Sequence, residues 1–174
     1  MHKRYVKYFC SAIINMSELP QEQNPEEASE RQRRDELEVR FKKLHDWAQD
    51  QEFVTVYRAE GDPSWKVDRS LSAQLVGTWY TDRYEMIEGR YKPEIENNSG
   101  MPARVFALII PKSLLESREA IDRGMNQVNV LNEELRAGRQ EISNPSQSTP
   151  SSLANYLDQF DFVREYRILK AKYG

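Results

Sequence analysis

Residues 103 to 110 form the most apolar run in the chain, Ala-Arg-Val-Phe-Ala-Leu-Ile-Ile, and Pro111 closes it. Eight residues is the length of a strand rather than of a helix, so the run predicts a buried central strand. Two further stretches have strand composition. Phe53-Val54-Thr55-Val56-Tyr57-Arg58 is rich in β-branched and aromatic residues and ends before Gly61-Asp62-Pro63. Gly77 to Asp82 reads as a second strand. Val128 to Leu131 is a shorter candidate, and the alternation of Phe162 to Leu169 predicts a final strand.

Helical signals lie between these runs. Leu37, Phe41, Leu44 and Ala48 fall at helical spacing, and Val39 and Trp47 widen that stripe. Pro25 suits the first turn, acids lie early, and Lys42 and Lys43 lie late, which fits the helix dipole. Arg83 to Tyr91 predicts a short helix. Glu94 to Pro102, with Asn97-Asn98-Ser99-Gly100, predicts a loop. Ser113 is placed to cap a helix beginning at Leu114. Asn132 to Gly138 predicts a helical turn ending at glycine, residues 143 to 152 a mobile loop, and Ser151 to Phe160 a short helix. Leu71 to Leu75 is ambiguous, and a loop carries Trp65. Strands and helices mix without regular βαβ spacing. The expected class is therefore α+β, with a mixed, largely antiparallel sheet preceded by an amphipathic helix.

The composition sets the domain plan. The 174 residues are 39% hydrophobic and 30% charged, apolar-poor for a single core, so a polar segment is expected beside an ordinary domain. Residues 1–25 read as a disordered tail or linker, 26–52 as a charged amphipathic helical arm, and 53–174 as the α+β domain. His2-Lys3-Arg4 before the short run Tyr8 to Ile14 has a leader's order of basic and apolar residues, but no small-x-small cleavage site follows. A disordered tail, or a start at Met16, is the plainer reading. No run of 18 apolar residues occurs, so no membrane span is expected, and a cytoplasmic location is.

Several chemistries are excluded. One cysteine, Cys10, rules out a disulfide scaffold and a cysteine-rich zinc site, and two histidines argue against a two-histidine metal centre. With only 7 glycines there is no phosphate-cradling glycine loop. A serine nucleophile elbow, HExxH and the kinase motifs are also missing. The net charge of −3 gives no broad nucleic-acid footprint, and Arg31, Arg33 and Arg34 are interleaved with acids, which favours a solvated helix face.

Three places set polar groups on or beside apolar strands. Arg58 continues the face of Val54 and Val56, where a guanidinium needs a carboxylate or phosphate partner unless it snorkels out at the strand end. In Thr78-Trp79-Tyr80-Thr81, alternation puts Thr78 and Tyr80 on one face and Trp79 and Thr81 on the other. Glu165 lies among Val163, Tyr166 and Ile168, where an acid is paired or sits on an exposed edge.

In order, VYRAEG, GTWYTD, ARVFALIIPKSLL and REYRIL resemble the ADP-ribosyltransferase superfamily, more narrowly its small bacterial and phage toxin-like members with an arginine in the first motif. The resemblance covers residues 53–170. It implies a split β-sandwich and NAD as substrate. It implies that Arg58 holds the NAD phosphate or ribose, with Tyr57 and Trp79 beside the cofactor. Tyr80 and Thr81 would orient the nicotinamide pocket, and Glu165 would be the catalytic acid. Val163 and Arg167 stand where the family's E-x-E spacing would put a second acid, which leaves Glu133 and Glu134 as alternative acids. The second motif reads Tyr80-Thr81-Asp82 in place of Ser-Thr-Ser.

The implied chemistry is coherent. Breaking the nicotinamide–ribose bond develops oxocarbenium character, which a carboxylate on the ribose hydroxyl stabilises. The acceptor of ADP-ribose would be a macromolecule, a protein rather than a nucleic acid, or water, and no metal is needed. The alternative is a non-catalytic protein-interaction module, with Leu37, Phe41 and Trp47 as its apolar surface.

Overall fold

The computed structural model describes residues 24–61, 78–118 and 125–174. The leader question, the linker up to residue 23, the Trp65 loop and the ambiguous run Leu71 to Leu75 lie outside these residues.

Among the described residues six strands form one sheet: β1 (Phe53–Glu60), β2 (Thr78–Thr81), β3 (Arg104–Pro111), β4 (Glu116–Arg118), β5 (Met125–Val130) and β6 (Gln140–Ile142). Their order is β4-β5-β2-β1-β3-β6, and every pairing is antiparallel. The fold is α+β with an N-terminal helix. The described strands make a single layer rather than the two layers of a split sandwich. The apolar run is β3, buried from Val105 to Pro111. It lies beside the three-residue edge strand β6 rather than mid-sheet, and it is buried all the same because helical layers cover both faces.

On one face, Val56, Tyr80, Leu108, Ile110 and Val128 meet a set of helices. The first is α1 (Pro25–Ala48), where Asn24 caps the start by accepting from Glu26 N at 3.2 Å. The helix read as an arm is part of the domain. Leu37 is 2% exposed in the main core, and Phe41 stacks on Tyr166 with ring centroids 4.9 Å apart. Val39 and Trp47, expected to widen the stripe, are 58% and 47% exposed. On the opposite face, Ala59, Val105 and Ala107 pack with Ile87. Ile87 belongs to a helical run made of α2 (Tyr84–Met86), a π-helical turn (Ile87–Tyr91) and α3 (Lys92–Ser99). Pro93 has no N–H to donate and crowds the preceding carbonyls, and the widened turn just before it accommodates that. The loop expected over 94–102 is thus largely helix. Its Asn-Asn-Ser-Gly signal is the helix stop, with Gly100 at φ 68° donating to Glu96 O at 2.8 Å.

The strand expected at 162–169 is also helix. After α4 (Glu133–Ala137) and α5 (Leu153–Leu157), α6 runs Asp161–Tyr173. It buries Phe162, Val163, Tyr166 and Leu169, a spacing of helical period. Ile168, which completed the alternation in sequence, is 68% exposed. The helix expected after Ser113 is one 3-10 turn, Lys112–Leu114, followed by β4. Within the loop expected at 143–152, Pro145–Gln147 forms a 3-10 turn. β6 ends its pairing at Ala107, so the backbone of Ile109 has no strand there. The buried Gln159 amide takes that place, accepting from Ile109 N at 2.7 Å and donating to Ile109 O at 2.8 Å. Gly138 permits this approach, because a Cβ there would lie 2.0 Å from Gln159 O.

Candidate functional site

β1 and β3 match over eight consecutive partners, but β1 and β2 meet at a single register pair, Tyr57 with Thr81. One residue along this seam, antiparallel pairing sets Arg58 opposite Tyr80 on the same face. Arg58 Nη1 donates to Trp79 O at 3.0 Å. The side chain thereby satisfies a carbonyl that a longer ladder would pair with backbone.

Continuing the alternation of β1 places Glu60 beside Arg58, with Oε1 3.2 Å from Arg58 Nε. The angle there makes no hydrogen bond, and Arg58 Nε has none. Arg139 comes from the turn after α4. Its Nη2 donates to Glu60 Oε2 at 3.3 Å, its Nη1 donates to Arg136 O at 2.9 Å, and its guanidinium lies 4.6 Å from the centre of the Phe106 ring. Tyr80 is 2% exposed, and its hydroxyl and Arg139 Nε have no hydrogen-bond partner among the described residues. Burial pushes the Tyr80 phenol up to about 12. Glu60 adds to that rise, and Arg139, Arg58 and Arg136 oppose it.

The remaining expected residues lie elsewhere. Tyr57 is on the opposite face, edge-on to Tyr84 at 5.3 Å, and by alternation Trp79 and Thr81 share that face. Thr81 Oγ1 donates to Asn126 O and accepts from Arg83 N, each at 3.2 Å, so it fixes the end of β2. Glu165 sits on a helix rather than a strand. It takes a two-pronged ion pair from Arg33 of α1, Nε to Oε1 at 3.1 Å and Nη2 to Oε2 at 3.3 Å. Glu134 accepts from Arg40 at 2.6 Å, again tying α1 to the domain. Of the alternative acids only Glu133 reaches the seam cluster, through a 3.5 Å exposed pair with Arg136. Arg58 and Tyr80 therefore converge, while Glu165 does not join them.

Glu60, Arg136 and Arg139 were not singled out in sequence. The alternation of β1 carries the signal for Glu60. Arg139 meets Glu60 across 79 residues, which no local pattern records.

A separate polar cleft of about 320 Å³ lies against β3, lined by Thr55, Gln140, Thr149, Asn155, Asp158 and Gln159, among others. None of the expected site residues lines it. Its polar groups serve one another: Gln140 Oε1 accepts from Thr149 Oγ1 at 2.7 Å, and Asn155 Nδ2 donates to Pro150 O at 2.7 Å. Among the described residues no three His, Cys, Asp or Glu side chains gather as a metal site would require, and no helix is long and apolar enough to cross a membrane.

No protein-family model matches the chain, and neither a curated protein nor a solved structure matches it at significant similarity.

Proposed function

We propose that the chain binds NAD at the β1/β2 seam and breaks its nicotinamide–ribose bond, passing ADP-ribose to a protein or to water in the manner of an ADP-ribosyltransferase. The observation that supports this reading is the placement of Arg58 beside Tyr80, with Arg58 Nε held only by its 3.2 Å ion pair to Glu60 and the buried Tyr80 hydroxyl making no hydrogen bond among the described residues. In this reading Arg58 grips the NAD diphosphate with its planar fork and so positions the ribose. The phenol of Tyr80, held protonated by burial, donates to the ligand. Glu60 rather than Glu165 is the carboxylate. Once the diphosphate takes over Arg58, Glu60 is released toward the ribose hydroxyl, where it stabilises the developing cation. The bond from ribose C1 to the ring nitrogen breaks with its electron pair going to nicotinamide, which leaves neutral. The acceptor oxygen or nitrogen then bonds to C1 and loses its proton. A cytoplasmic location belongs to the same reading.

A non-catalytic interaction module is the second reading, favoured by the half-exposed Trp47 and exposed Val39 that α1 leaves outside the core.

Labelled NAD separates the two. Wild type is expected to release nicotinamide, and Arg58→Ala and Glu60→Gln to lose about 10²–10³-fold in rate, the scale of one preorganised electrostatic group. Glu165→Ala should retain the rate. Equal release from all four proteins, or loss confined to Glu165→Ala, would reject the assignment.

A further inference from the structure

We propose that the polar cleft against β3 is a binding site for a neutral sugar, a single pyranose ring with free hydroxyls. None of the residues assigned to NAD lines this cleft, so the inference stands or falls without that reading.

The lining is nearly uncharged. Asp158 is the one formal charge among its ten described residues, whereas 30% of the whole chain is charged. Arg167 Nη1 donates to Asp158 Oδ1 and balances it. A phosphate or carboxylate ligand would enter beside that carboxylate, with no cation among the described lining residues to receive it. What the lining does offer is amides and hydroxyls around the strand surface of Ala107, Leu108 and Ile109. An apolar floor with a few placed polar groups is how small-molecule sites are built, and about 320 Å³ reaches the lower end of their size range.

The hydrogen bonds within the lining fix its side chains and still leave capacity over. Gln140 Oε1 accepts from Thr149 N at 3.2 Å as well as from its hydroxyl, and Gln140 Nε2 donates to Gln147 O at 3.1 Å. Asn155 uses one amide hydrogen on Pro150 O. Its second N–H and its Oδ1 make no hydrogen bond among the described residues. Thr55 Oγ1 and Ser151 Oγ share one hydrogen bond at 2.9 Å, so one of their two hydroxyl hydrogens remains to donate. Asp158 Oδ2 remains to accept. The cleft thus presents donors and acceptors together on preset side chains. A sugar hydroxyl donates and accepts through one atom, so a ring of hydroxyls answers both, and its C–H face suits the apolar floor.

Two other neutral occupants fit less well. An added peptide strand needs free backbone groups at a sheet edge, and the Gln159 amide already takes both Ile109 N and Ile109 O. A nucleobase is held against aromatic faces, and no aromatic side chain is among the described lining residues.

The test is an NMR titration of the full chain with methyl glucoside, methyl galactoside and methyl mannoside, following the side-chain amide signals of Gln140 and Asn155. At least one glycoside should move both signals and saturate at millimolar concentration, the range of a small ligand held by a few hydrogen bonds. Adenosine and trialanine should move them less or not at all. Asn155→Ala removes two of the free groups and should weaken glycoside binding about 10-fold, read at Gln140. Thr55→Val keeps the shape, suits a strand and loses only the hydroxyl, so it should weaken binding less than Asn155→Ala in a protein that melts as wild type does. Arg33→Gln, on the α1–α6 contact, should bind as wild type does. Saturation by none of the three glycosides overturns the site, as does unchanged binding in folded Asn155→Ala and Thr55→Val. Adenosine or trialanine saturating the same signals at lower concentration than every glycoside overturns the choice of a sugar.

Discussion

Two regions of this molecule concentrate charge, and they handle it in opposite ways. Where α1 meets α6, charges are matched one to one, Arg33 with Glu165 and Lys172 with Glu30, and Arg40 of α1 pairs in the same way with Glu134 of α4. Hydrogen bonds from Lys172 and Tyr173 hold the Glu30 carboxyl below its usual range, and the Glu165 contact pushes Arg33 further up. At the β1/β2 seam, two arginines, Arg58 and Arg139, meet Glu60, and the buried donors Arg139 Nε and Tyr80 hydroxyl make no hydrogen bond among the described residues. The first region uses charge to fix how two helices dock. The second leaves Arg139 Nε and the Tyr80 hydroxyl buried without a hydrogen bond among the described residues, and the proposed NAD reading puts its ligand there. Glu165, attractive in sequence, belongs to the first region.

The contrast can be broken most forcefully at the apolar layer beneath the paired helices. Leu37→Ala should cost about 2–5 kcal/mol, as for a fully buried leucine, read from denaturant unfolding. A cost near zero would return α1 to the status of an outlying arm. Gly138→Ala comes next. The added methyl would sit 2.0 Å from the Gln159 carbonyl oxygen, which should cost about 1–3 kcal/mol by overpacking and loosen the turn that carries Arg139. Unchanged stability there would mean the turn does not rest on Gln159.

Alkaline pH sharpens the difference at the seam. The Tyr80 phenol is pushed up to about 12, against roughly 10 in an unfolded chain. The protonated form is thus favoured by folding. Its contribution is complete below about pH 10 and is lost as pH rises through about 12, on the order of 2 kcal/mol. Tyr84 and Tyr156 are raised to about 12 as well, so Tyr80→Phe should reduce the alkaline fall rather than abolish it. An identical pH–stability curve for Tyr80→Phe would contradict the burial argument. The smallest effect is expected at Glu165→Ala. Its ion pair is half exposed, and such pairs contribute little. Thermal unfolding should shift slightly, and nicotinamide release should stay unchanged.

Much of this was legible in the sequence where period and length agree. The eight apolar residues of β3 and the Leu37-Phe41-Leu44-Ala48 stripe of α1 leave one reading each. The segment 162–169 failed because Val163, Tyr166 and Leu169 fit a helix while Ile168 completed an alternation that fits a strand. The dipole signs decide for the helix, with Asp161 first and Lys170 and Lys172 last. Asn97 to Gly100 failed because a helix stop and a loop share the same residues. At the site, strand alternation sets Arg58 on the Val54 and Val56 face and Tyr80 with Thr78, but their pairing comes from the Tyr57–Thr81 register, which the sequence does not record. Arg139 was hidden because its contact with Glu60 depends on tertiary folding, and the role given to Glu165 followed from the mistaken strand.

The most direct test of whether function resides at the seam is an NMR titration of the full chain with ADP-ribose, following the arginine Nε–H signals. Arg58 and Arg139 should shift together and saturate while Arg33 and Arg40 stay fixed. Shifts confined to Arg33 and Arg40, or no shift at any of the four, would contradict this account.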